Sequence, residues 1–426
     1  MKQLYNDYSH DLAYKAVNSC FNGKWKRRDI LSFIEEYAGI DRTEIYNDLL
    51  NQSVNVQIEA TDAIAYFVDE MISDVIENRE IDYIPALKIH ERADGMTNKI
   101  RAIANLSIPH QLLGHITMLG LLPLFKARIL PTQHASIPGH GQVRLKNQIS
   151  WYLRKKSLNI NYFVKTDIVH AYATLKYSDV IKFIEKEIPS AIWILKCLKY
   201  LQKLAIDDHL IIGGYLDAWL FNYIMSYSIR YIMKQGSYRR GIFHRYVVRV
   251  VTYMDDFCIL TETRTAIRKA IRLLSLWFKN RLNLFIKQTS SIVELYSIED
   301  ERRAKGKILK AQRGCPGIDM GGFIIHRTYI TIRERIFKRI RRCFDRGLIE
   351  IKNTGTIQRQ RAFSIVSRFG YLKQSTNHYF LSKHNVLYVL EIAKKVVSFW
   401  NKRNNTVSKE WLINAIKRRK SIFSTS

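Results

Sequence analysis

Tyr253-Met254-Asp255-Asp256 decides how this chain is read. The stretch lies between two apolar, β-like runs: Tyr246, Val247, Val248, Val250 and Val251 before it, Phe257, Cys258, Ile259 and Leu260 after it. Such runs around a short polar break predict two strands joined by a tight turn. Adjacent carboxylates at the tip concentrate negative charge that is costly to hold without a cation, and a divalent metal is the usual partner. A solvated Asp-Asp turn is the competing reading, and the dipeptide gains force only from residues upstream.

Asp167 is the first of these. It ends the strand-like run Ile160, Tyr162, Phe163, Val164, and a helix-like segment follows, so a helix-capping role is open to it. With Asp255 and Asp256 it supplies a third carboxylate from a separate strand end. Three hard oxygen ligands so arranged suit a two-metal phosphoryl-transfer site with room left for substrate phosphates.

Asp167-x4-Tyr172, then Ile212-Gly213-Gly214-Tyr215-Leu216-Asp217-Ala218-Trp219-Leu220-Phe221-Asn222, then Tyr253-Met254-Asp255-Asp256 resemble, in order, motifs A, B and C of reverse transcriptases. Gly321-Gly322-Phe323 followed by Ile332-Arg333 resembles that family's primer-grip turn and thumb entry. The family's motif B reads Gln-Gly-Gly-x-x-Ser-x-x-Leu-x-Asn. Here Gly213, Gly214, Leu220 and Asn222 keep the spacing, Ile212 replaces the glutamine and Asp217 the serine. The resemblance covers roughly residues 95–345.

What the resemblance implies is an α+β right-hand polymerase fold: fingers, a palm with an antiparallel sheet, a helical thumb, and an N-terminal helical extension. The expected segments are 1–80 (extension), 81–161 (fingers), 162–330 (palm with inserted fingers helices) and 331–426 (thumb and C-terminal tail). The implied activity is RNA-directed DNA synthesis by two-metal nucleotidyl transfer. Asp167, Asp255 and Asp256 would be catalytic and hold two Mg²⁺ ions, with Mn²⁺ as an alternative. Lys99 and Arg101 fall on one face of a fingertip strand, as two cations gripping a triphosphate should, although an ordinary basic surface strand looks the same. Tyr172 takes the steric-gate position, where a bulky ring clashes with a 2′-hydroxyl and so selects deoxynucleotides. Gly213 and Gly214 would let nucleotide or template approach the backbone, Asn222 would face the incoming sugar, and Lys287, in a loose match to motif D, would lie near the leaving phosphate with Lys279 as a rival.

The bulk composition agrees. Lys plus Arg number 68 against 38 acids in 426 residues, a net charge of +30 and a pI near 9.9, a field that draws in a polyanion. There is no apolar run of about 18 residues of the kind a membrane span needs and no signal-peptide pattern at Met1. The expectation is a cytoplasmic protein with no membrane partner. Cys20, Cys197, Cys258, Cys315 and Cys343 form no C-x-x-C pair and read as reduced, mostly buried thiols.

Periodicity orders the rest. Residues 1–80 read as helical, with amphipathic stretches at Ile30–Tyr37 and Ala60–Ile76. Gly95 to Arg101 reads as a hairpin turn and strand, and Gln133–Gln142, with its glycines and proline, as an open loop set to lie against template backbone. Leu216, Trp219, Leu220, Tyr223, Ile224, Tyr227 and Tyr231 make an apolar helical stripe, so most of these aromatics read as core. From Ile332 the chain turns basic. Arg333, Arg335, Lys338, Arg339 and Arg342, with Arg341, fall along one helical stretch within ten residues whose only acid is Glu334, and phosphates would relieve their repulsion. A solvated charged face is the alternative. Phe369-Gly370-Tyr371-Leu372-Lys373 and the basic end Lys417-Arg418-Arg419-Lys420 complete the expected thumb.

Within the family, the compact size and the altered motif B are similar to the unknown-group and abortive-infection class of bacterial reverse transcriptases, the compact type 2 kind above all. These act in phage defence, and the type 2 kind copies a structured non-coding RNA. The implied partners are such an RNA template, the DNA product and deoxynucleoside triphosphates. A template-independent or protein-primed DNA polymerase, a retron or diversity-generating retroelement enzyme, and a non-enzymatic RNA-binding scaffold stay open.

Overall fold

The computed structural model describes residues 5–51, 53–93, 100–287, 291–308, 316–376, 380–381 and 385–401. Lys99, Cys315 and the basic run Lys417–Lys420 lie outside them. The chain is mixed α and β, and two compact units alternate along it. One comprises Met1–Ser136, Asp167–Gln235 and Ala270–Gln288; the other comprises Ile137–Thr166, Gly236–Lys269 and Thr289–Ser426.

The first unit is mainly helical. Its N-terminal helices are His10–Phe21, Arg28–Tyr37, Arg42–Leu50 and Asn55–Glu77. Ser9 caps the first by accepting from the Leu12 N–H, and Asp41 caps the third by accepting from Thr43. The amphipathic stretches bury the faces their spacing predicts: Ile30, Leu31, Phe33 and Ile34 in one, Ile64, Met71, Ile72 and Val75 in the other. An antiparallel hairpin follows, Lys88–Ala93 with Ile100–Asn105, placing Arg101 opposite Arg92.

The next helix, Ile108–Arg128, corrects the sequence reading, because it is long and apolar enough to cross a membrane by length and composition. Its most apolar stretch is 78% buried within the protein, as the central helix of a hydrophobic core is. Around it, in the same unit, the helix Tyr215–Lys234 buries Leu216, Trp219, Leu220, Tyr223 and Ile224, as its stripe predicts, but Tyr227 and Tyr231 stay half-buried.

The second unit holds the strands Arg249–Tyr253, Asp256–Thr261, Tyr162–Asp167 (whose last residue, Asp167, belongs to the first unit) and Ile292–Glu294 in that spatial order. The first two form an antiparallel hairpin, and the last two are also antiparallel. One core joins Val251, Cys258 and Leu260 of the hairpin to Leu145, Ile149 and Leu153 of the helix Gln142–Arg154 and to Ile318, Met320 and Phe323. The last three belong to a three-stranded antiparallel meander, Ile318–Met320, Phe323–Ile325 and Ile330–Ile332. Its first turn is Gly321-Gly322, both with positive φ (59° and 85°), which a β-carbon would strain. The helices Glu334–Thr354 and Arg359–Lys373 follow, then one over 386–401. Cys20, Cys197, Cys258 and Cys343 are buried free thiols.

Candidate functional site

The hairpin register, with Val251 opposite Cys258, Thr252 opposite Phe257 and Tyr253 opposite Asp256, leaves Met254 and Asp255 as a two-residue turn. Met254 adopts φ +53°, left-handed backbone that glycine or asparagine enters at lower cost. Strain of this kind, of order 1–3 kcal/mol, persists only where the surroundings impose it, and it clusters at functional sites. Asp255 and Asp256 are half-buried at this tip. Lys165 Nζ lies 3.1 Å from Asp256 Oδ2, with about a third of each side chain exposed.

Asp167, in the first unit, has the same kind of partner. The Lys287 ammonium pairs with its Oδ2. The backbone fixes that lysine in place, because the Lys287 N–H donates to the Asp167 carbonyl at 2.9 Å and the Val169 N–H to Phe285 at 2.9 Å. Asp167 Oδ1 is buried and accepts no hydrogen bond from a described residue. A buried carboxylate oxygen left unsatisfied is expensive, and a cation ligand is a chemical reason to keep one. Lys287, expected near a leaving phosphate, is here the counter-ion of Asp167. Lys165 escaped the sequence reading, yet strand alternation places it on the same face as Asp167, two residues on.

Among the described residues no group of three or more His, Cys, Asp and Glu side chains is gathered as a metal ion would need. Taken separately, Asp167 in the first unit and Asp255 and Asp256 in the second offer the hard carboxylate oxygens that Mg²⁺ takes, and Asp167 Oδ1 is an unsatisfied acceptor among the described residues.

The motif B stretch forms a different environment within the first unit. Gly213 has φ +109°, and a β-carbon there would stand 3.0 Å from Ile103 Cγ2 and 3.3 Å from the Ala104 carbonyl. At Gly214 a β-carbon would overlap the Asp217 carboxylate. Both glycines are therefore required by internal packing, a reason the sequence did not reveal. Asp217 is buried and accepts from Tyr177 Oη at 2.7 Å and from the Ile211 N–H at 2.8 Å. Burial pushes its carboxyl up to about 6, against these hydrogen bonds. Beside the glycines lies a cavity of about 470 Å³, also lined by Lys24, Arg27, His110 and Tyr215. His115 stacks on Tyr215 with centroids 4.1 Å apart, and burial pushes both His110 and His115 down to about 4, which keeps them neutral at pH 7. Lys24, Arg27, His110 and His115 did not stand out in the sequence, since they come from segments distant from the glycines.

Tyr172 is half-buried, and its ring stacks on the buried Phe221, centroids 4.9 Å apart and 10° from parallel. Asn222 is fully buried, donating to Ala218 O at 2.9 Å and, at 3.4 Å, to Ala135 O. Gln133 donates to the Asn222 carbonyl at 2.7 Å, so Asn222 ties the helix to the Gln133–Ala135 segment. Arg101 lies in the hairpin strand, and its intended companion Lys99 is outside the described residues.

The basic helix is less bare than its sequence. Arg333 pairs with Asp319 at 2.7 Å, Lys338 with Glu334 at 2.6 Å and Arg341 with Asp345 at 3.5 Å. Glu334 is thus not the only acid near this run. Arg335 and Arg342 are exposed and Arg339 half-buried, while Ile336, Ile340, Cys343 and Phe344 form the buried face.

No protein-family model matches this chain, and no curated protein matches it.

Proposed function

We propose that this protein is an RNA-directed DNA polymerase of the bacterial defence-associated kind, copying a structured RNA into DNA. One observation carries the reading: a strained two-residue turn presents Asp255 and Asp256, and the carboxylates of Asp167 and Asp256 are each held by a lysine. A protein with no use for these carboxylates would gain nothing from the strained tip or from the unsatisfied Asp167 oxygen. The order of the motif-like stretches along the chain gives the reading its direction.

Asp167, Asp255 and Asp256 would hold Mg²⁺, which when bound lowers the pKa of an attacking hydroxyl and offsets charge on leaving pyrophosphate. Until then Lys165 and Lys287 offset the charge of Asp256 and Asp167. Tyr172, braced by Phe221, would lie under the incoming sugar and exclude a 2′-hydroxyl. The +30 net charge, with Arg335, Arg339 and Arg342, would hold the nucleic acid.

Primer extension on an RNA template with deoxynucleotides and Mg²⁺ tests the activity. Sequencing the nucleic acid that copurifies with the protein identifies the template. Synthesis without added or copurified RNA would return the template-independent reading. No synthesis in either case, with tight RNA binding, would leave an RNA-binding scaffold.

A further inference from the structure

A second cavity of about 470 Å³ lies within the first unit, walled by the helices Tyr177–Glu187, Tyr215–Lys234 and Arg264–Leu282. It is separate from Asp167, Tyr172 and the motif B glycines, none of which lines it. We propose that it binds one nucleotide unit, with the base on an aromatic wall and the phosphate on a cluster of cations.

The walls are braced by a network that consumes its own charges. Glu187, the only acid among the described residues that line the cavity, pairs with Arg128 and accepts from Tyr227 Oη. Arg230 donates to the Arg128 carbonyl and, at 3.4 Å, to that of Ala127. Lys186, Lys234 and Arg281 remain. All three are exposed, and none makes an ion pair or side-chain hydrogen bond with a described residue. Three cations around one cavity repel one another unless an anion joins them.

The cavity's other side is aromatic. Tyr231 and Trp277 stand with ring centroids 6.3 Å apart and 30° from parallel, and both are half-buried. Aromatic faces beside Lys and Arg are the combination that holds nucleotides, with bases stacking on rings and phosphates on cations. The volume lies within the range of small-ligand sites, roughly 300–1,000 Å³.

A simpler account exists for the cations. Each lies in the last turn of its helix, where a positive charge offsets the C-terminal dipole. That accounts for one cation per helix but not for their meeting around a half-open pair of aromatic rings. The sequence stripe assigned Tyr227 and Tyr231 to the core; their partial exposure at this cavity is what the helical period could not foresee.

The test uses the full chain and 8-azidoadenosine 5′-monophosphate, photocrosslinked and mapped by mass spectrometry, so that capture at any other site is distinguished by position. Label is expected on peptides carrying Tyr231 or Trp277. It should fall about fivefold or more in Lys234→Ala/Arg281→Ala, as loss of about 1 kcal/mol of phosphate contact requires. In the wild type, adenosine 5′-monophosphate should compete better than adenosine. Competition by the monophosphate as strong as by decaoligoadenylate points to a free nucleotide, and stronger competition by decaoligoadenylate than by the monophosphate to one unit of a strand. Either supports the site. Label absent from these peptides, label undiminished in the folded double variant, or equal competition by adenosine and the monophosphate would overturn the proposal. So would polyglutamate competing as well as the nucleotides, which would make the cavity a site for acidic polypeptide. The result is independent of polymerase activity.

Discussion

Asp217 and Asp167 belong to the same unit and are both aspartates in motif-like stretches, yet the protein treats them in opposite ways. Asp217 is sealed, with only neutral donors, Tyr177 Oη and the Ile211 N–H, and burial raises its carboxyl to about 6. Asp167 is partly exposed, paired with the half-exposed ammonium of Lys287, and keeps one oxygen without a hydrogen bond from a described residue. The first is built into a turn, holding the backbone of Ile211 beneath Gly214. The second is compensated but not consumed, since a surface lysine can be displaced at a cost of about 1 kcal/mol or less. Asp256, with Lys165, follows the second pattern. The two kinds of aspartate thus differ in what faces their oxygens: neutral donors at Asp217, a lysine ammonium at Asp167 and Asp256.

The largest expected effect breaks the comparison if it fails. Asp255→Ala with Asp256→Ala should abolish DNA synthesis, to below about 1% of wild type in primer extension, while RNA binding stays largely intact. Asp167→Ala should do the same. Asp217→Asn should instead leave a folded protein whose stability no longer varies with pH as the wild type's does. The sign follows from the raised folded pKa. Below an unfolded value near 3.8 the protonated carboxyl costs nothing, and stability falls as pH rises through about 6. The loss is roughly 3 kcal/mol, at about 1.4 per pH unit. Urea midpoints between pH 4 and 7 should fall in the wild type relative to Asp217→Asn; parallel curves would mean that Asp217 is not held as described.

Next in size is the sugar gate. Tyr172→Ala removes the ring without touching any of the three aspartates. Ribonucleotide use relative to deoxynucleotide should rise roughly 10- to 100-fold, about 1.4–2.8 kcal/mol of removed clash. Equal loss of both would make the Tyr172–Phe221 stack a packing contact only.

The strands and helices around these residues were legible because their signals are local. Continuous apolar runs set the hairpin around Met254-Asp255, and the helical period set the buried faces of Ile30–Tyr37 and Tyr215–Lys234. What stayed hidden depends on partners far along the chain. Lys165 and Lys287 lie 91 and 120 residues from the carboxylates they hold (256 − 165 and 287 − 167). Asp319 meets Arg333 only because the meander folds back, so a run that reads as bare cations is partly neutralised. The roles of Gly213 and Gly214 follow from Ile103 and Asp217, which no glycine pattern announces. Ile108–Arg128 escaped the membrane test on sequence because interspersed histidines, glycines and a proline disguise an apolar core helix.

That neutralisation lowers what the basic helix should contribute. Each phosphate neutralised on duplex adds roughly −0.9 to the slope of log affinity against log salt, and on single strand roughly −0.7. Arg339→Ala with Arg342→Ala should reduce the slope for RNA by about 1–2 units. Arg333→Ala should change it less, since Asp319 already takes its charge. An unchanged slope in the double variant would make this face a solvated one.

The smallest effect bears most directly on the contrast between the two aspartates. If Lys287 and Lys165 are place-holders for a divalent cation, removing either should strengthen metal binding, because the cation no longer has to displace an ammonium. The ion pairs are partly exposed, so each is worth under about 1 kcal/mol, and the gain should be only about two- to fivefold. Mn²⁺ titration followed by electron paramagnetic resonance reads it directly in Lys287→Gln and Lys165→Gln. Asp217→Asn should leave the same titration unchanged, because no cation neutralises Asp217 and none would be displaced. Weaker Mn²⁺ binding in the lysine variants would mean that the ammoniums position the carboxylates instead of guarding them. Equal effects of Asp217→Asn and Asp167→Asn would erase the distinction between the sealed aspartate and the open one.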